Sequence, residues 1–334
     1  MLSSTFVLIC IIVVTALIFD FINGFHDSAN AIACSVSTRV LTLKQAVVMS
    51  AVLNFIGAFV SEGVAKTIGS GIVDPNHISQ TVIVAALIGA IVWNIITWYF
   101  GIPSSSSHAL IGGLIGSAMV FQWSFGIVNW SNLFWKVIIW IFLSPMIGFV
   151  IGFVVMTIMN NVLKMMEARP SSVTKVFSKA QICSGAFIAF NHGCNDSQKS
   201  MGIITMALIS GNFITQFEIP NWVKICCALA MALGTSLGGK KIIKTMGTGM
   251  TKLAPINGFT AEMSASTVMM TATLLKAPVS TTHIITGSIM GVGASKRFSA
   301  VKWVIAKDIV TAWVITIPAS AVIAALAMFL IKLL

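Results

Sequence analysis

The sequence predicts an all-α polytopic membrane protein with two inverted-topology repeats of about five membrane passes each, containing broken helices and re-entrant hairpins. Three observations predict this fold: the apolar composition, a set of polar motifs that occurs twice, and the positions of the basic residues. Of the 334 residues, 57% are hydrophobic and 9% are charged, and the mean hydropathy is +0.97. A soluble protein carries about 25% charged residues. Apolar runs of about 17 or more residues recur along the whole chain, as membrane-spanning helices require.

The net charge of the chain is +11, from 20 Lys and Arg against 9 Asp and Glu. In a soluble protein this excess would suggest a nucleic-acid partner. In a polytopic membrane protein, basic loops instead fix the orientation, so we expect no nucleic acid. The six cysteines lie in or beside apolar segments without metal-ligand spacing, which indicates reduced, small apolar side chains.

The predicted passes divide the chain into two halves around a short polar segment. The first repeat, 1–160, has passes near 5–35, 46–65, 81–100, 108–121 and 133–158. A cytoplasmic linker follows at 161–180. The second repeat, 181–334, has passes near 181–210, 222–239, 257–275, 283–295 and 308–332. The first apolar run lacks a basic flank and a small-residue cleavage site, which favours a retained span over a signal peptide.

Internal repetition connects the two halves. The stretch "GIPSSSSHALIGGLIG" at 101–116 matches "KAPVSTTHIITGSIMG" at 276–291. The stretch "NGFHDSANAIA" at 23–33 has its counterpart in "FNHGCNDSQKSMGI" at 190–203, and "KTIGSGI" at 66–72 pairs with "KTMGTGM" at 244–250. Three pairs in one order, at similar separations and with rare polar residues, indicate a duplication.

The basic residues indicate how the halves are oriented. Five passes per half would bring four basic clusters to the cytoplasmic side, and an odd number of passes makes the repeats inverted. Both termini are then extracytoplasmic. The clusters are Arg39 with Lys44, Lys164 with Arg169, Lys175 and Lys179, Lys240 with Lys241, Lys244 and Lys252, and Lys296 with Arg297, Lys302 and Lys307.

The third and fourth passes of each half allow two readings. The segments 81–121 and 257–295 could cross the membrane fully, or could be re-entrant hairpins that turn at "PSSSSH" and "PVSTTH". Both readings return the chain to the same side, so the orientation of the repeats is unchanged. A run of hydroxyls with a proline suits a helix break that lines a cavity, which favours the hairpins.

Two aspartates are the sharpest functional candidates, because an ionisable residue inside the membrane is costly. Asp27 and Asp196 each stand three residues after a glycine, Gly24 or Gly193, and short polar side chains follow them. We expect the glycine to permit a helix break at which oxygen atoms converge on Na⁺, or at which the carboxylate accepts a proton. The alternative is a structural aspartate that caps a half-helix.

The hydroxyl runs predict an oxyanion site. Residues 104–107 and 280–282 are serines and threonines that stand directly before a predicted helix start. Free backbone N–H groups at such a start, together with the hydroxyls, suit a tetrahedral anion. A plain capped turn is the alternative reading.

Histidines and a few other charged residues complete the candidates. Lys199 stands where the first half has Asn30, so it could balance substrate charge or replace a cation. Glu62 and Glu262 are further intramembrane candidates, whereas Asp20 and Asp308 lie nearer predicted helix ends and suggest interfacial roles. His77 falls in a loop, and the others could carry protons, donate to the anion or hold a hairpin tip: His26, His108, His192 and His283.

The paired motifs "NGFHDSANAIA", "HGCNDSQKSMG", "WYFGIPSSSSHALIGGLIG" and "APVSTTHIITGSIMG" resemble those of the inorganic phosphate transporter (PiT) family, in its short bacterial form. The likeness runs through both halves. It implies cation-coupled uptake of inorganic phosphate by an inverted-repeat symporter, a homodimer in the inner (plasma) membrane, with no cofactor besides the coupling ion.

The resemblance also assigns roles to single residues. Asp27, Asn30 and Asp196 become cation and phosphate ligands. Independently of the resemblance, we add Asn195 as a candidate cation ligand and Gln198 as a candidate phosphate ligand. The hydroxyl ligands at the hairpin tips are Ser105, Ser106, Ser107, Ser280, Thr281 and Thr282.

Several alternatives stay open at this point. Many members of the family read G-A-N-D where this chain has "GFHD", so the coupled ion could be Na⁺, H⁺ or a metal–phosphate complex. Sulfate or another tetrahedral oxyanion could be the substrate, although an acceptor carboxylate favours phosphate, which can still donate a hydrogen bond. An anion channel is a further class. The chain has no HExxH-like spacing and no nucleotide-binding motif, so we expect no enzyme.

Overall fold

The structure, a computed structural model, describes residues 4–73, 78–275 and 279–333, without the side chains of 69–71. His77 and the residues 276–278 of the second hydroxyl motif lie outside this described part. The described residues form fourteen α-helices, joined by turns, 3₁₀ turns and π-helical turns, and they contain no β-strand. The predicted all-α fold is confirmed.

The helices of the first half are α1 (Ser4–Ser37), α2 (Leu43–Gly57), α3 (Gly63–Gly71), α4 (Gln80–Phe100), α5 (Ser106–Gln122), α6 (Trp130–Leu133) and α7 (Ile139–Met165). Those of the second half are α8 (Pro170–Asp196), α9 (Gln198–Ser210), α10 (Asn221–Leu237), α11 (Lys240–Lys244), α12 (Pro255–Leu274), α13 (Thr281–Lys296) and α14 (Trp303–Leu333). The π-helical turns Phe134–Ile138 and Thr245–Gly249 extend α6 into α7 and continue α11.

Long apolar helices account for part of the predicted membrane passes. Among the described residues, four helices are long and apolar enough to cross a membrane: Thr5–Ser37, Gln80–Phe100, Trp130–Met165 and Trp303–Leu333. The pair Asn221–Leu237 and Lys240–Gly249, which meets at an angle of 63°, would make a fifth. α7 and α14 present exposed valine, leucine and isoleucine side chains, as lipid-facing helices do. The ten passes drawn from the sequence stay a prediction.

The predicted helix break in the first aspartate motif is wrong. α1 runs through Gly24 and Asp27 without interruption. α8 likewise continues through Gly193 to Asp196, and only Ser197, whose φ of −64° and ψ of −23° are close to helical values, separates it from α9. The glycines have a different function, which is close helix crossing.

Both motif glycines allow backbones to touch. A Cβ atom on Gly24 would collide with the carbonyl oxygen of Met231 in α10, and one on Gly193 with the carbonyl oxygen of Asn54 in α2. A helix interior tolerates glycine at a cost of about 1 kcal/mol relative to alanine, which close packing can offset. In this structure the two glycines therefore allow close helix packing and do not interrupt a helix.

Each hydroxyl motif stands between two helices that pack against each other. α4 ends at Phe100, and the next residue, Gly101, has a φ of +69°, a left-handed conformation that favours glycine; α5 begins five residues after Gly101. α5 packs against α4 and α14, while α13 packs against α12 and α7. Every residue from 106 to 118 in α5 and from 281 to 294 in α13 is buried. The motifs therefore stand at the starts of two helices that are enclosed by the rest of the protein.

The connection between the halves is shorter than the predicted linker 161–180. α7 extends to Met165 and α8 starts at Pro170, so only residues 166–169 lie between helices. Proline at the first helical position starts α8, because the missing N–H would be unpaired there in any case. The basic side chains of this segment are exposed, as a polar connection requires.

Candidate ion and substrate site

Asp27 and Asp196, which lie far apart in the sequence, meet inside the protein. One oxygen atom from each carboxylate and one ring nitrogen of His192 lie within 4.8 Å of one another. All three side chains are buried, with 2% or less of their surface exposed. Two carboxylates at this distance repel each other unless positive charge or a proton is supplied. The group is therefore suited to a cation or a proton.

The start of α5 reaches this group through Ser106. Its hydroxyl donates a hydrogen bond of 2.8 Å to Oδ2 of Asp27. Lys199 in α9 donates a 2.8 Å hydrogen bond to the same Ser106 hydroxyl, and its Nζ lies 2.8 Å from Oδ2 of Asp196. Lys199 is 1% exposed, so the ammonium group depends on these partners. Lys199 thus links the first hydroxyl run to the second aspartate.

The start of α13 reaches the same place from the other half. Asn30 donates hydrogen bonds to the hydroxyls of Thr281, at 3.2 Å, and Thr282, at 2.9 Å. The Thr281 hydroxyl lies 3.4 Å from Oδ2 of Asp196, and the Thr282 hydroxyl lies 3.4 Å from Oδ1 of Asp27. Each hydroxyl run thus contacts an aspartate, and the second run contacts both.

The two helix starts are capped in the same way. Ser105 accepts a hydrogen bond from the backbone N–H of His108, and Ser280 accepts one from that of His283. A capped start leaves other N–H groups of the first turn free and carries a partial positive charge. Ser107 lies in the first turn of α5 and is buried with its neighbours. Both starts therefore combine hydroxyl and N–H donors that an anion can accept.

Each aspartate also has a histidine beside it. Nδ1 of His26 lies 2.7 Å from Oδ1 of Asp27, and Nε2 lies 3.0 Å from the Thr97 hydroxyl. Nδ1 of His192 lies 3.2 Å from the side-chain oxygen of Asn54, and Nε2 lies 3.4 Å from Asp196. The rings are anchored on their far sides, which holds their near nitrogens against the carboxylates.

The other two motif histidines, one from each half, lie against each other. The ring centroids of His108 and His283 are 4.9 Å apart, and His283 stacks on Trp313 of α14 at 3.9 Å. The Trp313 indole N–H donates to the carbonyl oxygen of Pro103, just before the first hydroxyl run. These contacts connect α5 and α13 at the two hydroxyl runs. They agree with a structural role for His108 and His283.

Two predicted ligands of the site are engaged elsewhere. The Gln198 side-chain oxygen accepts hydrogen bonds from the backbone N–H groups of Val64 and Ala65 at the start of α3. Asn195 donates to the hydroxyl of Thr273 in α12. Gln198 thus caps the start of α3, which has no side-chain cap of its own, and its contact with substrate stays a prediction.

The remaining acidic candidates differ in burial. Glu62 is half exposed and pairs with Lys224, so it is a surface residue. Glu262 is buried and accepts hydrogen bonds from Ser35 and Ser184. Asp20 is completely buried, so the interfacial role expected for it is wrong, since α1 extends sixteen residues before it. Asp308 is exposed, as expected.

Sequence reasoning did not identify the partners that orient the two histidines. Asn54 and Thr97 are buried polar residues in apolar helices, and each contacts a histidine of the aspartate motifs. A polar residue in an apolar segment is itself a functional signal, so Asn54 was recognisable from its surroundings in α2.

The region that contains all the paired motifs matches a known family in sequence. The sequence pattern described as "Phosphate transporter family" matches residues 23–324. The chain belongs to the phosphate transporter family. This confirms the family that the motifs predicted and a multi-pass membrane protein, and a family of transporters agrees with the expectation that the chain is not an enzyme.

Two relatives within the phosphate transporter family are similar over almost their full length. A "Probable low-affinity inorganic phosphate transporter" of Bacillus subtilis is 48% identical over 330 residues, covering 98% of each chain. One of the same description from Rhizobium meliloti is also 48% identical, covering 98% of this chain and 97% of its own. A solved structure described as "The sodium-dependent phosphate transporter" is 25% identical, has a TM-score of 0.87, and is matched over 98% of this chain and all of its own.

Proposed function

We propose that this chain is a secondary active transporter that takes up inorganic phosphate together with a cation, Na⁺ or H⁺, across the inner (plasma) membrane by alternating access. The observation that carries the proposal is the meeting of Asp27 and Asp196 with the hydroxyls at the starts of α5 and α13. The descriptions of the Bacillus subtilis and Rhizobium meliloti relatives support phosphate as the substrate. The sodium dependence that the structural neighbour carries in its name supports coupling to a cation.

The donors around the site suit phosphate. Ser106, Thr281 and Thr282 supply hydroxyls, Lys199 supplies an ammonium group, and the starts of α5 and α13 supply backbone N–H groups. Helix starts favour anions through both their free N–H groups and their dipoles. Asp27 or Asp196 could accept the proton that a phosphate hydroxyl donates, whereas sulfate has no such proton. This contrast favours phosphate over sulfate.

Charge balance supports coupling. Two carboxylates and one ammonium leave the site negative before any substrate binds, and phosphate adds further negative charge. Buried charge of one sign is costly unless it is paired. A cation at Asp27, Asp196 and His192 would remove this cost, so anion and cation would each raise the affinity for the other. Asn30, and Asn195 after a change of rotamer, could add amide oxygens to such a site.

Corresponding contacts in the two halves support the inverted repeat. The packing of α1 on α10 corresponds to that of α8 on α2, and the packing of α5 on α14 to that of α13 on α7. The hydrogen bond from Trp130 to Phe125 has its counterpart in that from Trp303 to Phe298, each at 2.8 Å. Two related halves around a shared site give two alternative openings, which is the basis of alternating access.

The lengths of two buried helices support the re-entrant hairpins. α5 has 17 residues and α13 has 16. A helix of this length spans about 25 Å, which is less than a hydrocarbon core of about 30 Å. Hairpins α4–α5 and α12–α13 would thus enter from opposite sides and bring their hydroxyl runs to the midplane. The proposal also includes extracytoplasmic termini, the repeats 1–160 and 181–334, and a homodimer.

The test is uptake of labelled phosphate into proteoliposomes under separate Na⁺ and H⁺ gradients. We expect phosphate accumulation that needs one of these gradients and disappears when an ionophore collapses it. Asp27→Asn should abolish accumulation, while Ser117→Ala serves as the control, because the Ser117 hydroxyl bonds only within its own helix. Accumulation of sulfate but not phosphate would overturn the substrate assignment. Phosphate flux that does not depend on either the Na⁺ or the H⁺ gradient would indicate a channel.

A further inference from the structure

A polar stripe on α1 extends beyond the site described above. Asp20, Asn23, Asp27 and Asn30 follow one another at intervals of three or four residues. Residues at this spacing lie on one face of a helix, one above the other. Asp27 and Asn30 contact the hydroxyl runs, so the stripe continues from the site toward the N-terminal end of α1 through Asn23 and Asp20.

The N-terminal part of this stripe is buried and poor in hydrogen-bond partners. Asp20, Asn23 and Ser200 are each 0% exposed. Among the described residues, neither polar atom of the Asn23 side chain has a hydrogen-bond partner, and the Asp20 carboxylate has only the Ser200 hydroxyl and the Cys227 thiol near enough to bond to it. The side chains of Ser200 from α9 and Cys227 from α10 lie beside Asp20. Buried polar groups without partners are rare in proteins, so a cluster of them indicates a ligand.

The charge of Asp20 is likewise not paired. Lys199 and Asp196 are charged groups that act electrostatically on Asp20, and the ammonium of Lys199 bonds to Asp196 and Ser106. Among the described residues, no Lys, Arg or His forms an ion pair with Asp20. A single buried carboxylate requires one positive charge. The cluster therefore suits a monovalent cation.

The second half has no equivalent of this cluster. By the alignment of Asp27 with Asp196, Asp20 corresponds to Ala189 and Ser200 corresponds to Ala31. Both alanines are buried in the same kind of helix packing. The repeat can therefore fold without a carboxylate or a hydroxyl at these positions. This argues against a purely structural role for Asp20 and Ser200.

We propose that Asp20, Asn23 and Ser200 bind a second coupling cation, separate from the one at Asp27, His192 and Asp196. The inference rests on the function proposed above. The ligands would be carboxylate, amide and hydroxyl oxygens, the set that hard cations prefer, and the same carboxylate can take a proton. The shared chemistry is a small monovalent cation, Na⁺ or H⁺.

The position of the cluster explains how it would assist transport. Asp20 precedes Asp27 by two helical turns, about 10 Å along α1. Charges at this separation still interact in a low-dielectric interior. A cation at Asp20 would therefore lower the repulsion that phosphate meets from Asp27 and Asp196. Since the predicted orientation puts the start of α1 outside the cell, this cation would bind on the side from which phosphate enters.

The experiment compares two assays on Asp20→Asn in proteoliposomes. The first is phosphate exchange with equal cation concentrations on both sides, which requires no net cation movement. The second is phosphate accumulation under a tenfold cation gradient. We expect exchange within about twofold of the wild type, and accumulation lower by about tenfold, because each coupled cation multiplies the accumulation ratio by its gradient. Running Na⁺ and H⁺ gradients separately identifies the ion that is lost.

Three further variants make the result specific. Asp20→Glu should restore the accumulation ratio, because it returns the carboxylate. Asp308→Asn makes the same chemical change at an exposed aspartate and should behave as the wild type. Ser200→Ala should raise the cation concentration for half-maximal uptake about fivefold by removing one oxygen ligand, and it carries the test if Asp20→Asn does not fold.

The two proposals fail in different ways. If the wild type accumulates phosphate under neither gradient, the proposed transport function is wrong. If the wild type is coupled and Asp20→Asn reaches the same accumulation ratio, the second cation site is wrong and the transport function stands. Loss of exchange together with accumulation in folded Asp20→Asn would also overturn the inference, as would an unchanged half-saturation in Ser200→Ala.

Discussion

Lys199 donates a 2.8 Å hydrogen bond to the hydroxyl of Ser106, and this bond joins the two halves of the protein at its centre. The same ammonium group lies 2.8 Å from Asp196, and the Ser106 hydroxyl donates to Asp27. One lysine and one serine thus connect the two aspartates. Lys199 stands at the position equivalent to Asn30, so the two halves contribute different groups to a shared site.

Replacing Lys199 should both destabilise the protein and impair phosphate uptake. Lys199→Met leaves Asp196 buried without its cation, and breaking a buried pair costs about 3–5 kcal/mol. We expect a lower thermal midpoint in detergent and loss of phosphate uptake. Lys199→Arg keeps the charge and should retain more of the stability. A thermal midpoint equal to that of the wild type in Lys199→Met would contradict the pairing seen in the structure.

Removing one hydroxyl from either hydroxyl run should weaken phosphate binding. Ser106→Ala deletes a donor to Asp27 and an acceptor for Lys199, and Thr281→Ala deletes one of the two hydroxyls that accept from Asn30. A hydrogen bond to a charged group contributes about 1.5–3 kcal/mol, so we expect KM for phosphate to rise by about tenfold or more. Initial uptake rates against phosphate concentration measure this. The control is Ser117→Ala, where KM should stay unchanged.

Adding a methyl group to a motif glycine should disrupt helix packing. In Gly193→Ala, the new Cβ would meet the backbone of Asn54, which cannot move without displacing α2. Overpacking costs about 1–3 kcal/mol, and a backbone neighbour puts the effect at the upper end. We expect a reduced yield of folded protein and a lower thermal midpoint.

The matched control for this prediction is Gly126→Ala. The nearest atom to its Cβ would be the Ser124 hydroxyl at 3.4 Å, in ordinary contact. This variant should behave as the wild type. Equal stability of Gly193→Ala and Gly126→Ala would show that α2 and α8 do not approach as closely as described.

Gln198 should affect stability rather than substrate affinity. Its side-chain oxygen caps the start of α3 through Val64 and Ala65. Loss of such a cap costs about 0.5–2 kcal/mol. Gln198→Leu should therefore lower the thermal midpoint while KM for phosphate stays within about twofold of the wild type. A large rise in KM without a change in the midpoint would return Gln198 to the substrate site.

Much of the candidate site could be predicted from the sequence, because its residues are rare in their surroundings. Aspartates, hydroxyl runs and histidines are costly in apolar helices, so their recurrence in two matched motifs indicates function. The structure brings Asp27, Asp196, Ser106, Thr281 and Thr282 together as that reasoning requires. Asn30 also reaches the opposite hydroxyl run.

The errors concern features that local sequence leaves undetermined. Glycine suits a helix break and a close helix crossing equally well, and only the presence of α10 and α2 against Gly24 and Gly193 decides between them. Asp20 was expected near a helix end because the sequence does not show how far into the protein α1 carries this residue. The contact between Gln198 and the start of α3 cannot be seen in the sequence, because the two are far apart in the chain.

The sequence by itself determined the membrane class, the family and the residue types of the site, since these follow from composition and from short motifs. The tertiary structure alone decided which partners those residues have: Lys199 between Asp196 and Ser106, His192 against Asn54, and Asp20 beside Ser200. The physical reason is the distance along the chain over which each effect acts. Hydrophobicity and local spacing act within one helix, whereas the burial and pairing of a charge depend on helices that are distant in the chain.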